Sequence, residues 1–159
     1  GLVVWCTFMA GGFHTYGQNQ MWRMDPGWLS ALDTPGAYHM GVLRQILGTI
    51  EWYKWVPDQS LFANGPGSGP SLNAAARSAD GDWLLVYLAG KGSVTIYIDK
   101  IITSAQCRAT WFDPQTGAAT AAGAYPTGNL GPGTFPRKTT QTFTPPSTSE
   151  DAVLLVEAC

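Results

Sequence analysis

Hydrophobic positions change their spacing partway along the chain. Leu2–Ala10 is an almost unbroken apolar run, rich in β-branched and aromatic side chains, which predicts a strand buried on both faces as in a parallel sheet. It breaks at Gly11-Gly12 into Phe13-His14-Thr15-Tyr16-Gly17-Gln18-Asn19-Gln20-Met21-Trp22, a polar and aromatic stretch. Met24–Gly27 reads as a turn and Trp28–Asp33 as a short helical turn. Thr34 then stands as N-cap before Pro35 at the first helical position. Leu43, Ile46, Leu47 and Ile50 recur at helical spacing, predicting a helix to about Trp52 with one apolar stripe. Strand, polar loop and helix make one βα unit.

From Leu72 onward the period is that of strands. Asn73–Arg77 predicts a short strand and Ala79–Asp82 a tight turn. Trp83–Leu88 is apolar on both faces. Gly90–Gly92 turns the chain, and in Ser93–Asp99 the residues Val94, Ile96 and Ile98 point in while Thr95, Tyr97 and Asp99 point out. Cys107–Phe112 is another strand. Asp113–Gly117 is a hairpin loop with Pro114 at its first corner and a left-handed Gly117, and Ala118–Ala122 returns antiparallel. Tyr125–Arg137 reads as loop, and Thr139–Phe143 and Ala152–Glu157 as the last strands. Short strands with regular turn signals predict an antiparallel β-sandwich.

The expected architecture is therefore mainly β: an antiparallel β-sandwich over 72–159, preceded by a βα unit over 1–56, with 57–71 as linker. The linker reading rests on Asn64-Gly-Pro-Gly-Ser-Gly-Pro70, and Glu51–Pro57 reads as an aromatic bridge between the two parts. One βα unit cannot bury its strand unaided. That predicts the last unit of a larger barrel whose other units the chain does not carry, with the polar loop on the rim of a ligand site at the strand's carboxyl end.

Composition narrows the function classes. The chain has 159 residues, 45% of them apolar and 13% charged, with a net charge of −2. That is enough for a core, and nine scattered Lys and Arg form no basic stripe for nucleic acid. No apolar run approaches the roughly 20 residues of a membrane helix. Seven Trp, six Tyr, six Phe and 19 Gly suit a secreted carbohydrate-active protein. The chain starts at Gly1 without an initiator Met or a signal sequence, which implies processing or a start within a longer gene product. Cys6 lies in the apolar run as a core residue. Cys107 and Cys159 each adjoin a strand-like run and are either free thiols packed as small hydrophobes or a disulfide pair, worth about 4 kcal/mol on chain-entropy grounds.

Two blocks resemble a known family. Ala10-Gly-Gly-Phe-His-Thr-Tyr-Gly-Gln-Asn-Gln-Met-Trp22 with Pro35-Gly-Ala-Tyr-His-Met40 resembles the last βα unit of the apiosidase-like glycoside hydrolases, which are (β/α)8 barrels. Ala76–Leu88, Ala109–Gly117 and Val153–Val156 resemble the small β-sandwich that follows that barrel, which is called a putative collagen-binding domain of a collagenase. The resemblance implies a glycosidase whose catalytic carboxylates sit on earlier strands. Glycoside hydrolysis needs two carboxyl groups about 5–9.5 Å apart. Only Asp25 lies near the polar loop, so this chain alone carries no catalytic residue.

The substrate-binding candidates are His14, Tyr16, Gln18, Asn19 and Trp22. His14 and Tyr16 alternate along the strand's exit, and either face a barrel mouth or, for His14, tie down their own loop. Gln18 and Asn19 offer donor and acceptor together to sugar hydroxyls, or serve as caps of the loop. Trp22 is either a platform for a sugar ring or a filler between loop and helix. His39 falls in the helix as a surface or interface residue. The two histidines and the carboxylates show no metal-ligand spacing, Ser60, Ser68 and Ser71 lack a nucleophile elbow, and Gly65-x-Gly67-x-Gly69 follows no strand, so no cofactor or metal is expected. Trp83, Tyr97 and Trp111 read as core or sheet-face residues. The expected partners are the remainder of the barrel and carbohydrate. A non-catalytic structural or carbohydrate-binding module is the competing reading.

Overall fold

The computed structural model describes residues 2–123, 132–148 and 150–159. Helix α1 spans Leu2–Met9, α2 spans Asn19–Arg23 and α3 spans Pro35–Leu47. Among the described residues the strands that follow are β1 Trp55–Pro57, β2 Ala74–Ser78, β3 Trp83–Leu88, β4 Val94–Tyr97, β5 Gln106–Phe112, β6 Ala119–Ala121, β7 Thr134–Pro136, β8 Thr140–Phe143 and β9 Ala152–Ala158. One sheet runs β1-β2-β3-β9-β5-β6, with β7 also on β5; β4 and β8 form a second, two-stranded sheet. The pairings are antiparallel.

The large sheet is the middle layer of three. In β3, Leu84, Val86 and Leu88 face β4 and β8, where they meet Ile96, Ile98 and Phe143. Trp83, Leu85 and Tyr87 face the helices, where they meet Trp5, Met9, Leu43 and Ile46. Both faces of β3 are therefore buried, as its uninterrupted apolar run predicts. In β4, Val94, Ile96 and Ile98 point inward and Tyr97 and Asp99 outward, again as their alternation predicts. The β5–β6 hairpin forms around Asp113, whose Oδ1 accepts from the Gln115 and Thr116 amides at 2.7 and 3.2 Å. Gly117 takes the left-handed position at φ +77°.

The amino-terminal run is a helix, not the expected strand. A short apolar run reads equally as buried strand or buried helix, and the glycines after it decide. Gly11 sits at φ +83°, and the Gly11 and Gly12 amides donate to the Phe8 and Thr7 carbonyls at 2.9 Å. This is the Schellman pattern of a helix end. The βα unit therefore becomes helix, loop, helix. Helix α3 starts on Thr34-Pro35 as expected but ends at Leu47 rather than near Trp52.

Residues 57–71 are not a free linker. Val56 and Pro57 pair with β2, and Leu61 and Phe62 are buried in the core with Phe62 bridged to Ile96. The Asn73 amide closes the glycine-rich stretch on the Pro66 carbonyl at 2.7 Å. The loop expected over Tyr125–Arg137 contains strand β7, and its first part lies outside the described residues. Gly133 leads into β7 at φ +76°, where a Cβ would meet the Ala109 carbonyl at 2.6 Å, so only glycine lets the chain pass.

The expected Cys107–Cys159 disulfide is not formed: both are free, Cys107 buried and Cys159 exposed. Cys107 lies opposite Ala158, and the pleat turns the next residue, Cys159, to the other face.

Candidate functional site

The candidate residues lie between α1 and α3 and over α2. Phe13–Gly17 runs from the end of α1 without regular structure, and Gln18 enters α2 in extended conformation at φ −130°. Tyr16 and His14 are not equivalent. The Tyr16 ring packs against Gly36 in the first turn of α3, and its hydroxyl is 3.1 Å from Thr34 Oγ1. Thr34 in turn donates to the Ala31 carbonyl at 3.1 Å. Tyr16 is thus held on the helix side of its segment and is engaged with protein. His14 is half-buried.

Beyond Tyr16 the polar groups partly satisfy one another. Gln18 Nε2 donates to Gln20 Oε1 at 3.3 Å, while Gln18 Oε1 is buried without a partner. Trp22 Nε1 donates to Asn19 Oδ1 at 3.0 Å. The Arg23 guanidinium carbon sits 5.0 Å from the Trp22 ring centroid, yet the indole is 69% exposed. A flat exposed indole beside amides can stack on the apolar face of a sugar ring while the amides exchange hydrogen bonds with its hydroxyls. The loop therefore brings Gln18, Asn19 and Trp22 together, and places Tyr16 against α3.

His39, expected at a surface or interface, lines a cavity of about 200 Å³ together with Trp5, Tyr16, Gly36, Met40 and Pro114. An open apolar groove of about 470 Å³ adjoins it along α1 and α3, sharing Met40 and Leu43 and lined also by Phe8, Phe13, Leu47 and Trp52. Neither carries a carboxylate pair. Among the described residues, no three His, Cys, Asp or Glu side chains converge as metal ligands would.

Two features of the sheet escaped the sequence reading. Tyr87 donates to Asp151 Oδ2 at 2.9 Å; burial, then this carboxylate, pushes the phenol far above its usual range, so it stays a donor. Arg77 Nε meets Asp58 Oδ2 at 2.8 Å. Burial pushes the Asp58 carboxyl up, but hydrogen bonds from Ser60 and Arg77 outweigh it and hold the carboxyl below its ordinary value. The long sequence separations of both pairs left no local signal.

The chain is thus a helix-backed antiparallel sheet with a second small sheet, joined to an aromatic and amide-rich loop. Two solved structures share the arrangement. One is a glycoside hydrolase, 28% identical with a TM-score of 0.77, matched over 98% of this chain and 35% of its own. The other is a glycoside hydrolase family 5 protein from Bacteroides vulgatus, 27% identical with a TM-score of 0.67, over 82% of this chain and 26% of its own. The chain thus spans about a third or less of the proteins it resembles. Residues 56–157 match the family described as "putative collagen-binding domain of a collagenase", and the chain belongs to that family. No curated protein matches it. The family description points to an extracellular setting. Among the described residues, no helix is long and apolar enough to cross a membrane.

Proposed function

We propose that the chain is the carboxyl-terminal portion of a secreted, apiosidase-like glycoside hydrolase, contributing one rim loop and an accessory β-sandwich. The observation that carries this reading is the segment Phe13–Gly17. It lies between two helices, and among the described residues none of its backbone N–H or C=O groups bonds to another backbone group. A row of unpaired backbone groups is an edge that wants a strand beside it. A barrel strand flanked by its helices has that environment. The strand that joins the barrel is therefore the segment after Gly12, and the apolar run before it is a helix of the outer ring.

Exposed apolar side chains support the same reading. Among the described residues they concentrate before Lys54: Val3 is 68% exposed and Phe13 87%, with Met24, Leu29, Tyr38 and Trp52 also open. Helix α1 is apolar all round, the mark of a helix covered on more than one side, yet here only Trp5 and Met9 are fully buried, Val4, Cys6 and Phe8 are half-buried and Val3 is open. The remainder of the barrel is the partner that covers the rest and supplies the two carboxyl groups that glycoside hydrolysis needs. Trp22, Gln18, Asn19 and His14 then stand at the rim, to stack on and hydrogen-bond the carbohydrate. Residues 1–54 belong with the barrel and 55–159 with the sandwich.

The test compares this chain with a longer polypeptide that carries the remaining strands. The longer protein is expected to hydrolyse plant-type glycosides and to weaken in KM on Trp22→Ala. This chain alone is expected to be inert and to bind a hydrophobic dye. A folded longer polypeptide without glycosidase activity overturns the proposal in favour of a non-catalytic carbohydrate-binding or assembly module.

A further inference from the structure

The loop that carries the candidate binding groups is seated on the fold through a socket for Tyr16. Gly36 occupies the second position of α3, and a Cβ built there would clash with the Cε2–Cζ edge of the Tyr16 ring, 2.7 Å from its hydroxyl oxygen. The ring therefore rests directly on helix backbone. Its hydroxyl meets Thr34 Oγ1 at 3.1 Å, so ring and hydroxyl both engage the start of α3. The sandwich braces that helix from the other side. The Gly117 backbone approaches Val42 and Gln45 of α3 closely, and the Tyr38 hydroxyl reaches the Thr116 carbonyl at 3.5 Å. Pro114, in the same hairpin, lines the cavity that Tyr16 and Gly36 share.

We infer that Tyr16 is a positioning residue: seated on Gly36, on a helix braced by the 113–117 hairpin, it fixes the loop that presents Gln18, Asn19 and Trp22. Its bearing on catalysis rests on the hydrolase reading above; the positioning itself does not. It also gives the sandwich a role at the rim without contact to substrate, because the hairpin holds the helix that holds the loop. Among the described residues no backbone–backbone hydrogen bond holds Phe13–Gly17, so in this chain the Tyr16 anchor restrains the loop through side-chain contact.

Gly36→Ala tests the socket, because its sign is informative. Alanine ordinarily stabilises a helix relative to glycine. Here it is expected to expel the Tyr16 ring instead. In this chain, NMR order parameters of residues 13–17 should fall from about 0.85 to below about 0.6 in Gly36→Ala and in Tyr16→Ala, with β3 and β9 unchanged. The two changes should not add: once Tyr16 is truncated, Gly36→Ala should have no further effect on the loop. Unchanged order in Gly36→Ala, or the same loss with Tyr16 already removed, overturns the inference. In the longer polypeptide the same pair should lower kcat/KM non-additively. Loss of loop order together with a longer polypeptide inactive before any substitution would leave the positioning role standing and remove the hydrolase reading alone.

Discussion

Trp5 of the first helix lies parallel to Tyr87 of the central strand, ring centroids 6.0 Å apart and 7° between planes. Tyr87 in turn donates to Asp151, the residue before β9. Helix, central strand and last strand are thus joined through one aromatic stack and one buried hydrogen bond. The face of the sheet that carries Leu85, Tyr87 and Leu155 is covered by α1 and α3, so sandwich and helices form a single packed body.

Trp5→Ala is therefore expected to destabilise the chain by about 3–5 kcal/mol, the usual range for truncating a buried tryptophan. Urea unfolding followed by far-UV circular dichroism measures it. Deleting residues 1–54 should expose the same sheet face and drive self-association on gel filtration. A monodisperse, equally stable fragment would show that the helices are dispensable to the sandwich.

Acid should weaken the fold partly through Asp58. Its carboxyl is held below the ordinary value in the folded chain, so the stability it contributes is complete above the unfolded pKa and is lost as pH falls through the folded one. Asp58→Asn removes the ion pair with Arg77 and weakens the hydrogen bonding to Ser60, costing about 2 kcal/mol near pH 7. The deficit should begin to shrink below about pH 4, where the unfolded carboxyl takes up its proton, and vanish as pH falls through the lower folded value. Denaturant midpoints across that range decide it.

Glu157 has the opposite sign. Burial pushes its carboxyl up, against the pull of Arg108 at 3.7 Å. The folded chain therefore holds that proton more tightly than the unfolded one, and the associated stability is lost as pH rises through the folded pKa. Glu157→Gln should lose little at neutral pH or gain, because Arg108 is half exposed and the pair is weak. Relative to the parent it should fare worse on acidification. A large loss at pH 7 would contradict this balance.

Thiol reactivity should separate the three cysteines. Burial comes first in pushing the Cys107 thiol up to about 11, so it should resist a disulfide reagent at pH 8 until the chain unfolds. Exposed Cys159 should react at once and half-buried Cys6 more slowly. Counting released thiolate before and after denaturant checks this, and a missing pair after denaturation would reveal a Cys107–Cys159 bridge.

Much of the sandwich was legible because its signals are local. The unbroken run Trp83–Leu88 forecasts a strand covered on both faces, the alternation from Val94 to Ile98 forecasts a two-faced strand, and Asp113-Pro114 with Gly117 forecasts a hairpin. The start of α3 followed from Thr34-Pro35 for the same reason. β1 and β7 were not legible, since a three-residue strand carries too little pattern unless a turn signal announces it, as the Asp113–Gly117 hairpin does for β6; they exist through their partners β2 and β5.

At the amino end, sequence alone determined that Leu2–Met9 is apolar on every side and must be buried against something. Period could not choose helix or strand over so short a run; the left-handed Gly11, bonded back to Phe8, decided helix. Sequence likewise assembled the polar loop, with His14, Tyr16, Gln18, Asn19 and Trp22 close together. Only the tertiary structure decided that Tyr16 turns toward Gly36, because which face a side chain takes depends on a neighbour twenty residues further along the chain.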